Sequence, residues 1–204
     1  EAVDAITELD PGSAGDELGR LQADGLVAPA RGDGNRWLLT MEGRHLGEVL
    51  LARELDAAET DDGQAGRSVV VEAYDQFLDL NQPLLEVCTR WQIVSQDPVV
   101  LNDHQDPVHD AAVLDELARI DTRIQPICAK LESVLDRFRR YRPAFTEALV
   151  RLQNGETGWL TKPTILSYHT VWFQLHEDLL ATLGLERAAE TARLTSEPTT
   201  EPST

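Results

Sequence analysis

The segment 102–110 holds the residues best suited to binding chemistry. It places His104 and His109 among three aspartates and an asparagine. Such a density of polar groups beside a helix N-terminus could bind a metal ion, an anion or a small polar ligand. A simpler interpretation is that Asp106 caps a helix, Asp110 interacts favourably with its dipole, and the other side chains are solvated. This interpretation is favoured because the H-x3-H and C-x2-C spacings of metal sites are absent, so we predict no metal and no cofactor.

A second group of polar side chains lies on the last predicted helix. His169 and His176 are separated along the helix axis by about 10.5 Å, which is too far for them to share one metal ion unaided. Tyr168 and Trp172 beside them permit a small-ligand pocket, although aromatic residues on an apolar helix usually belong to the core.

We predict that any functional site lies where the segment 102–110 meets the helix face that carries His169 and His176. Polar groups that converge on an aromatic wall are what a small-ligand site requires. The alternative is that the two segments lie on opposite sides of the protein and are solvated independently. The candidate ligand-binding residues are Asn102, Asp103, His104, Asp106, His109, Tyr168, His169, Trp172 and His176.

Catalysis has little support in the sequence. The chain contains no glycine-rich phosphate loop, no G-x-S-x-G elbow and no HExxH motif. Ser167 and His169 are close in sequence, but side chains two residues apart on a helix point in different directions. We therefore predict no catalytic residue, and an enzyme is the less favoured class.

The first part of the chain has the pattern of a small domain with a hairpin. Asp10 and Pro11 begin a helix that Gly25 ends. Two short strands are predicted at 27–30 and 36–40, and the turn residues between them are typical of a hairpin. Thr40 then caps another helix. This order of elements is that of the second half of a winged helix, which is predicted over residues 1–58 without the helix that normally comes first.

The rest of the chain is predicted to be helical. A polar linker at 59–67 precedes a helical domain at 68–186, and a tail at 187–204 has a composition typical of disorder. Within the helical domain, residues 95–106 are predicted to form an irregular loop. Pro107 begins a long amphipathic helix, Pro143 begins the next one, and Lys162-Pro163 begins the last one. The fold class is therefore mainly α, with one small two-stranded wing.

Charge and composition restrict the function. The formal net charge is -18, and the predicted recognition helix carries Asp16, Glu17 and Asp24 against only Arg20, so phosphate binding is disfavoured. No apolar run approaches the roughly 20 residues that span a bilayer, so no membrane partner is predicted. Two cysteines in helical patterns are predicted to be buried, reduced thiols rather than a disulfide, which is typical of a cytoplasmic protein.

Several short motifs resemble those of known proteins. Residues 21–27 (LQADGLV), the strand 37–40 (WLLT) and Gly43-Arg44 resemble the MarR-like winged-helix regulators. The remaining chain is similar to a group of actinobacterial proteins, mostly unassigned or described as regulators, in its segments 102–107 and 167–178. The resemblance implies a regulator fold and no assigned chemistry. The candidate DNA contacts are the arginines of the recognition helix, the wing and the next helix: Arg20, Arg31, Arg36 and Arg44.

The sequence therefore favours a winged-helix, transcription-regulator-like protein whose helical region senses a small-molecule effector or forms a dimer. A protein-interaction module that does not bind DNA is one alternative. A small-molecule or metal-binding enzyme that uses the segment 102–110 and the last helix is another. A homodimer is expected because the helix at 41–58 and the long helix after Pro107 have more apolar positions than a small wing could cover.

Overall fold

The computed structural model describes residues 11–30, 36–61 and 63–185. Within these ranges it is mainly α-helical, as predicted. The elements in chain order are α1 (Pro11–Ala23), β1 (Val27–Pro29), β2 (Trp37–Leu39), α2 (Met41–Ala57), α3 (Gly66–Gln92), β3 (Ile93–Gln96), β4 (Val99–Leu101), α4 (Pro107–Val134), α5 (Tyr141–Gln153) and α6 (Tyr168–Leu183), with short 3₁₀ helices at Asp136–Arg140 and Thr157–Trp159.

The wing is present where the sequence predicts it. Strands β1 and β2 pair in antiparallel fashion, with Val27 opposite Leu39 and Pro29 opposite Trp37. The hairpin lies between α1 and α2 in the chain, so the predicted order of helix, hairpin and helix is confirmed. The turn 31–35 lies outside the described residues, and the candidate Arg31 lies outside them too.

Four helices, α3 to α6, build the main hydrophobic core. Helix α3 packs along α4, and α5 and α6 complete the bundle. Fully buried side chains such as Phe77, Leu117, Ile124 and Phe145 fill its centre. The two prolines inside the long helices, Pro83 and Pro126, do not end them, because apolar faces packed on both sides of each proline outweigh one lost hydrogen bond.

A second hairpin corrects the predicted loop at 95–106 and with it the prediction of a single small sheet. Strands β3 and β4 pair with Gln96 opposite Val99, and the Asp97–Pro98 peptide bond between them is cis. The β-branched residues that flank this turn suit an extended backbone. The polar residues around them are typical of a loop, which is why the strands were not predicted.

Two helix boundaries also differ from the predictions. Helix α6 begins at Tyr168 rather than after Pro163, because the Ser167 side chain accepts a hydrogen bond from the Thr170 N–H and caps the helix there. Helix α5 begins at Tyr141 rather than Pro143. Proline is tolerated in a first helical turn, where its missing N–H has no intrahelical partner.

The segment predicted as a linker forms a tight turn between α2 and α3. Glu59 pairs with Ala65 in an isolated bridge, and the Gly66 N–H donates to the Ala58 carbonyl at 2.7 Å. Leu55 of α2 is buried in the bundle core. The winged-helix part of the chain is thus anchored on the bundle at the C-terminal end of α2. None of the described helices has the length and hydropathy needed to cross a membrane.

Candidate functional site

Asn102 organises the segment 102–110 at the C-terminal end of α3. Its side-chain amide donates to the Trp91 carbonyl at 3.0 Å and to the Asp110 carboxylate at 2.8 Å. Its side-chain oxygen accepts from the His104 N–H at 3.0 Å. Both amide N–H groups and the oxygen of Asn102 are therefore engaged, so the segment has a defined conformation.

His104 is fixed by contacts on two sides of its ring. The ring contacts the indole of Trp91 in a tilted arrangement, with 4.6 Å between centroids, and Nδ1 lies 2.9 Å from Oδ2 of Asp110. Nδ1 also lies 3.3 Å from the side-chain nitrogen of Asn102, but both N–H groups of that amide already have acceptors, and an ionised carboxylate only accepts. When the imidazole carries one proton, this geometry therefore places it on Nδ1 and leaves Nε2 as an acceptor.

An open cleft of about 440 Å³ lies beside His104. Trp91 connects its two sides, because the indole N–H donates to the Thr157 carbonyl at 3.1 Å. The lining combines apolar surface with a few polar groups, which is the composition of small-molecule sites. It consists of Trp91, Gln92, Ile93, Leu101, Asn102, His104, Thr157, Gly158 and Thr161.

The other candidates in the segment have local structural roles. Asp106 caps α4 by accepting from the N–H groups of Val108 and His109, as the simpler interpretation predicted. His109 uses Nε2 to contact the Arg90 carbonyl at 2.9 Å, near the end of α3. Asp103 accepts from a backbone N–H two residues later in its own turn. None of these three candidates is among the residues that line the cleft.

The aromatic candidates on α6 belong to the bundle core. Trp172 stacks on Phe77 with 4.6 Å between centroids, and its indole N–H donates to Asn81 at 3.1 Å. The ring of His176 is 5.2 Å from that of Phe77. Tyr168 donates from its hydroxyl to Asp121 at 3.1 Å, and burial raises the pKa of both groups.

The structure does not place the two predicted halves of the site at one cleft. His176 contacts Phe77, whereas His104 contacts Trp91, and these two positions of α3 are about 21 Å apart along the helix axis. His169 lies nearer, since its backbone N–H donates to the Leu160 carbonyl, but its side chain does not line the cleft. Half-burial lowers the pKa of His169.

Sequence reasoning missed part of the cleft. Trp91 was not among the candidate residues, and Thr157 and Thr161 belong to no motif. The one available signal was the position of Trp91 immediately before a change from helix to strand pattern. Among the residues that the structure describes, no group of three or more histidine, cysteine or acidic side chains could hold a metal ion.

A partly buried ionic cluster joins α2 to the bundle and was not predicted either. Arg137 donates to Glu54 of α2 at 2.8 Å and also pairs with Asp178 of α6. Asp178 accepts from Arg140 and from the Tyr141 hydroxyl, each at 2.9 Å. The sequence of this region resembles an exposed basic turn, because charged residues alternate there with single aromatic ones.

The winged-helix part has its own fixed junction, at Thr40. The Thr40 hydroxyl donates to the Gly25 carbonyl at 2.6 Å and accepts from the Gly43 N–H at 3.0 Å. A Cβ atom at position 43 would overlap the carbonyl oxygen of Leu26, so only glycine fits there. Residues 39–44 (LTMEGR) therefore join the end of α1, the base of the wing and the start of α2.

The candidate DNA contacts have different surroundings. Arg20 of α1 pairs with Glu17 at 3.3 Å, so its charge is partly neutralised within its own helix. Arg36 beside the wing and Arg44 in the first turns of α2 are exposed. Asp16 on the exposed side of α1 adds a negative charge. Two of the three described candidates are thus exposed beside the wing and at the start of α2.

Comparison with known proteins gives no relative. No protein-family model matches this chain, and no curated protein or solved structure is significantly similar to it. Functional inference therefore depends on the residues and contacts described above.

Proposed function

We propose that this chain is a winged-helix, transcription-regulator-like protein whose helical bundle senses a small-molecule effector. The Thr40–Gly43 junction is the observation that supports this proposal. It fixes α1, the wing and α2 as one unit, as a protein must if a helix and a wing are to contact a target together.

DNA is the first target to test, and the positive charge near the wing supports it. Exposed arginines there can contact the phosphate backbone, which supplies most of the non-specific affinity for DNA. The acidic surface of α1 makes base contacts by that helix a smaller contribution. Arg36 and Arg44 are the described residues expected to contribute most.

Fluorescence anisotropy with random and promoter duplexes at low salt tests this proposal. We expect Arg44→Ala to weaken binding severalfold. The slope of log affinity against log salt concentration should fall by about one, as the loss of one phosphate contact would give. Arg53→Ala is the matched control, because it removes the same charge from an exposed position further along α2. Binding no tighter than that of an unrelated acidic protein would reject the DNA-binding function.

Self-association through the winged-helix part is the second candidate, and its exposed apolar residues favour it. Leu38 and Leu39 of the wing are 57% and 54% exposed, and Met41 beside them is 89% exposed. A second copy of the chain is the partner that most often covers such a surface, through two-fold symmetry. The ion pair between Arg20 and Glu17 is consistent with a module that does not bind DNA.

Light scattering distinguishes this second candidate. We expect a dimer at micromolar concentration, with twice the 22.6 kDa mass of the chain, and we expect Met41→Glu with Leu38→Glu to convert it to a monomer. Val99→Glu with Leu101→Glu, on the exposed β4 strand, is the control pair. A wild-type protein that is monomeric throughout this range would contradict the proposal.

A further inference from the structure

We propose that the cleft beside His104 binds a neutral aromatic hydroxy compound, a phenol-type ligand whose hydroxyl donates to Nε2 of His104. This inference rests on the proposed sensing function of the bundle and identifies the class of effector. It assigns a binding role to the cleft and no reaction.

The hydrogen bonds of His104 indicate that the ligand carries a hydrogen-bond donor. Nδ1 is engaged with Asp110, and Nε2 makes no hydrogen bond to any of the described residues. The imidazole is held between the Trp91 ring and the Asp110 carboxylate, so its acceptor is oriented before any ligand binds. A ligand hydroxyl would therefore gain a hydrogen bond with little additional ordering of the protein.

The volume and lining of the cleft indicate that the ligand contains an aromatic ring. Its volume of about 440 Å³ is within the range typical of small-molecule sites. Ile93 and Leu101 contribute apolar surface, and Leu101 is 71% exposed, so a bound ring would cover apolar surface that is now in water. The Thr157 carbonyl accepts a hydrogen bond from the Trp91 indole, and this bond holds the side of the cleft that carries Thr157 in place.

Charge supports a neutral ligand. The protein has a formal net charge of -18, and its overall potential repels small anions. No acidic side chain is among the residues that line the cleft, and the Asp110 carboxylate is engaged by Asn102 and His104, so the lining offers no carboxylate to pair with a cationic ligand. Aromatic alcohols fit these conditions better than aromatic acids or amines.

Protein NMR on the full chain can test the site directly, because the indole N–H of each of the four tryptophans gives a separate signal. The probes are p-cresol, p-methylanisole, which lacks the hydroxyl donor, and p-toluate, which is an anion. We expect p-cresol to shift the signal of Trp91, assigned through Trp91→Phe, and to leave that of Trp172 in the core unchanged. We expect p-cresol to bind about threefold to tenfold more tightly than p-methylanisole, as one hydrogen bond would give, and p-toluate to bind most weakly.

Two variants distinguish the hydrogen bond from the apolar contact. His104→Asn removes the acceptor while accommodating the positive φ of 58° at this position, and should bring p-cresol binding down to that of p-methylanisole. Leu101→Ser should weaken binding of both compounds. His45→Asn, on an exposed turn of α2, is the matched control and should bind like the wild type. An unchanged Trp172 signal shows that each variant is folded.

Three results would overturn the inference: no shift of Trp91 at millimolar p-cresol, equal affinity for p-cresol and p-methylanisole, or unchanged p-cresol binding in His104→Asn. The samples contain no DNA. Failure of the cleft to bind is therefore a separate result from failure of the winged helix to bind DNA, which the anisotropy titration measures.

Discussion

Helices α2 and α3 follow one another in the chain and are stabilised in different ways. Helix α3 buries eleven of its 27 residues, whereas α2 buries only Gly43 and Leu55 of its 17. The bundle thus has a core of its own. The winged-helix part depends on a few anchors, which are the Thr40 junction, Leu55 and the ion pair between Glu54 and Arg137. We expect the two regions to open with different free energies, the winged-helix part at the lower value.

The two regions also differ in what their surfaces offer to a partner or a ligand. Large apolar side chains are exposed along the wing and α2, where no described residue covers them. They are Leu38, Leu39, Met41, Leu46 and Leu50. The bundle exposes large apolar side chains too, chiefly on β4 and at the start of α4, but it also encloses a buried core and keeps an open cleft at one end of α3. A contact surface and a ligand site are therefore supported by different parts of the molecule.

The largest expected effect is a loss of bundle stability. Phe77 is fully buried between Trp172 and His176, so Phe77→Ala should lower the free energy of unfolding by about 3–5 kcal/mol. Leu46→Ala on α2 is the control, because Leu46 is 39% exposed and should change stability by less than about 0.5 kcal/mol. Urea unfolding of both variants measures the difference. Similar losses of unfolding free energy in Phe77→Ala and Leu46→Ala would contradict a hydrophobic core that is confined to the bundle.

The next effect is local and concerns the winged-helix part. Gly43→Ala places a methyl group against the Leu26 carbonyl, and should abolish hydrogen-exchange protection in α1 and the wing. Gly47→Ala meets no described atom within 4 Å and should stabilise α2 by about 0.5–1 kcal/mol.

Cysteine alkylation shows whether that opening stays local. Cys88 and Cys128 are buried in the bundle, and burial raises the pKa of each thiol to about 12. We expect Phe77→Ala to accelerate their alkylation and Gly43→Ala to leave its rate unchanged. Faster alkylation in Gly43→Ala would show that the two regions unfold together.

The sequence predicted those parts of the fold that local patterns determine. The wing, the Asp106 cap and the long helix after Pro107 each have a local signal, since turn residues, capping residues and apolar spacing act over a few positions. The hairpin at 93–101 was missed because its strands are short and lie among polar residues. The lining of the cleft was missed in part, because Trp91 and Thr157 meet only through tertiary packing.

The same limit applies to the candidate site. Grouping the histidines of 102–110 with those of α6 assumed that polar residues gather at one place. His176 instead packs against Phe77 in the core. Sequence spacing could not reveal that His104 and His176 contact positions about 21 Å apart on α3.

The smallest expected effect is a pH dependence of the bundle. Half-burial lowers the pKa of His169 below its ordinary value in the folded state, so the unfolded state binds the proton more tightly. Stability should therefore fall as the pH decreases through the ordinary histidine pKa toward the folded value. His169→Asn should reduce this loss between pH 7 and pH 5, measured by urea unfolding. His45→Asn on α2 should lose as much stability as the wild type over this range. An equal loss in the wild type and in His169→Asn would show that His169 does not cause the pH dependence.

The ionic cluster at Asp178 has a consequence for the order in which the chain can fold during synthesis. Arg137 follows its partner Glu54 by 83 residues, and Asp178 follows Arg137 by a further 41. At translation rates of about 5–20 residues per second, Asp178 is made about 6–25 s after Glu54. Helix α2 is therefore synthesised long before the ionic cluster that joins it to the bundle is complete. A nascent chain passes through a stage in which the apolar residues of its winged-helix part are accessible to ribosome-associated chaperones.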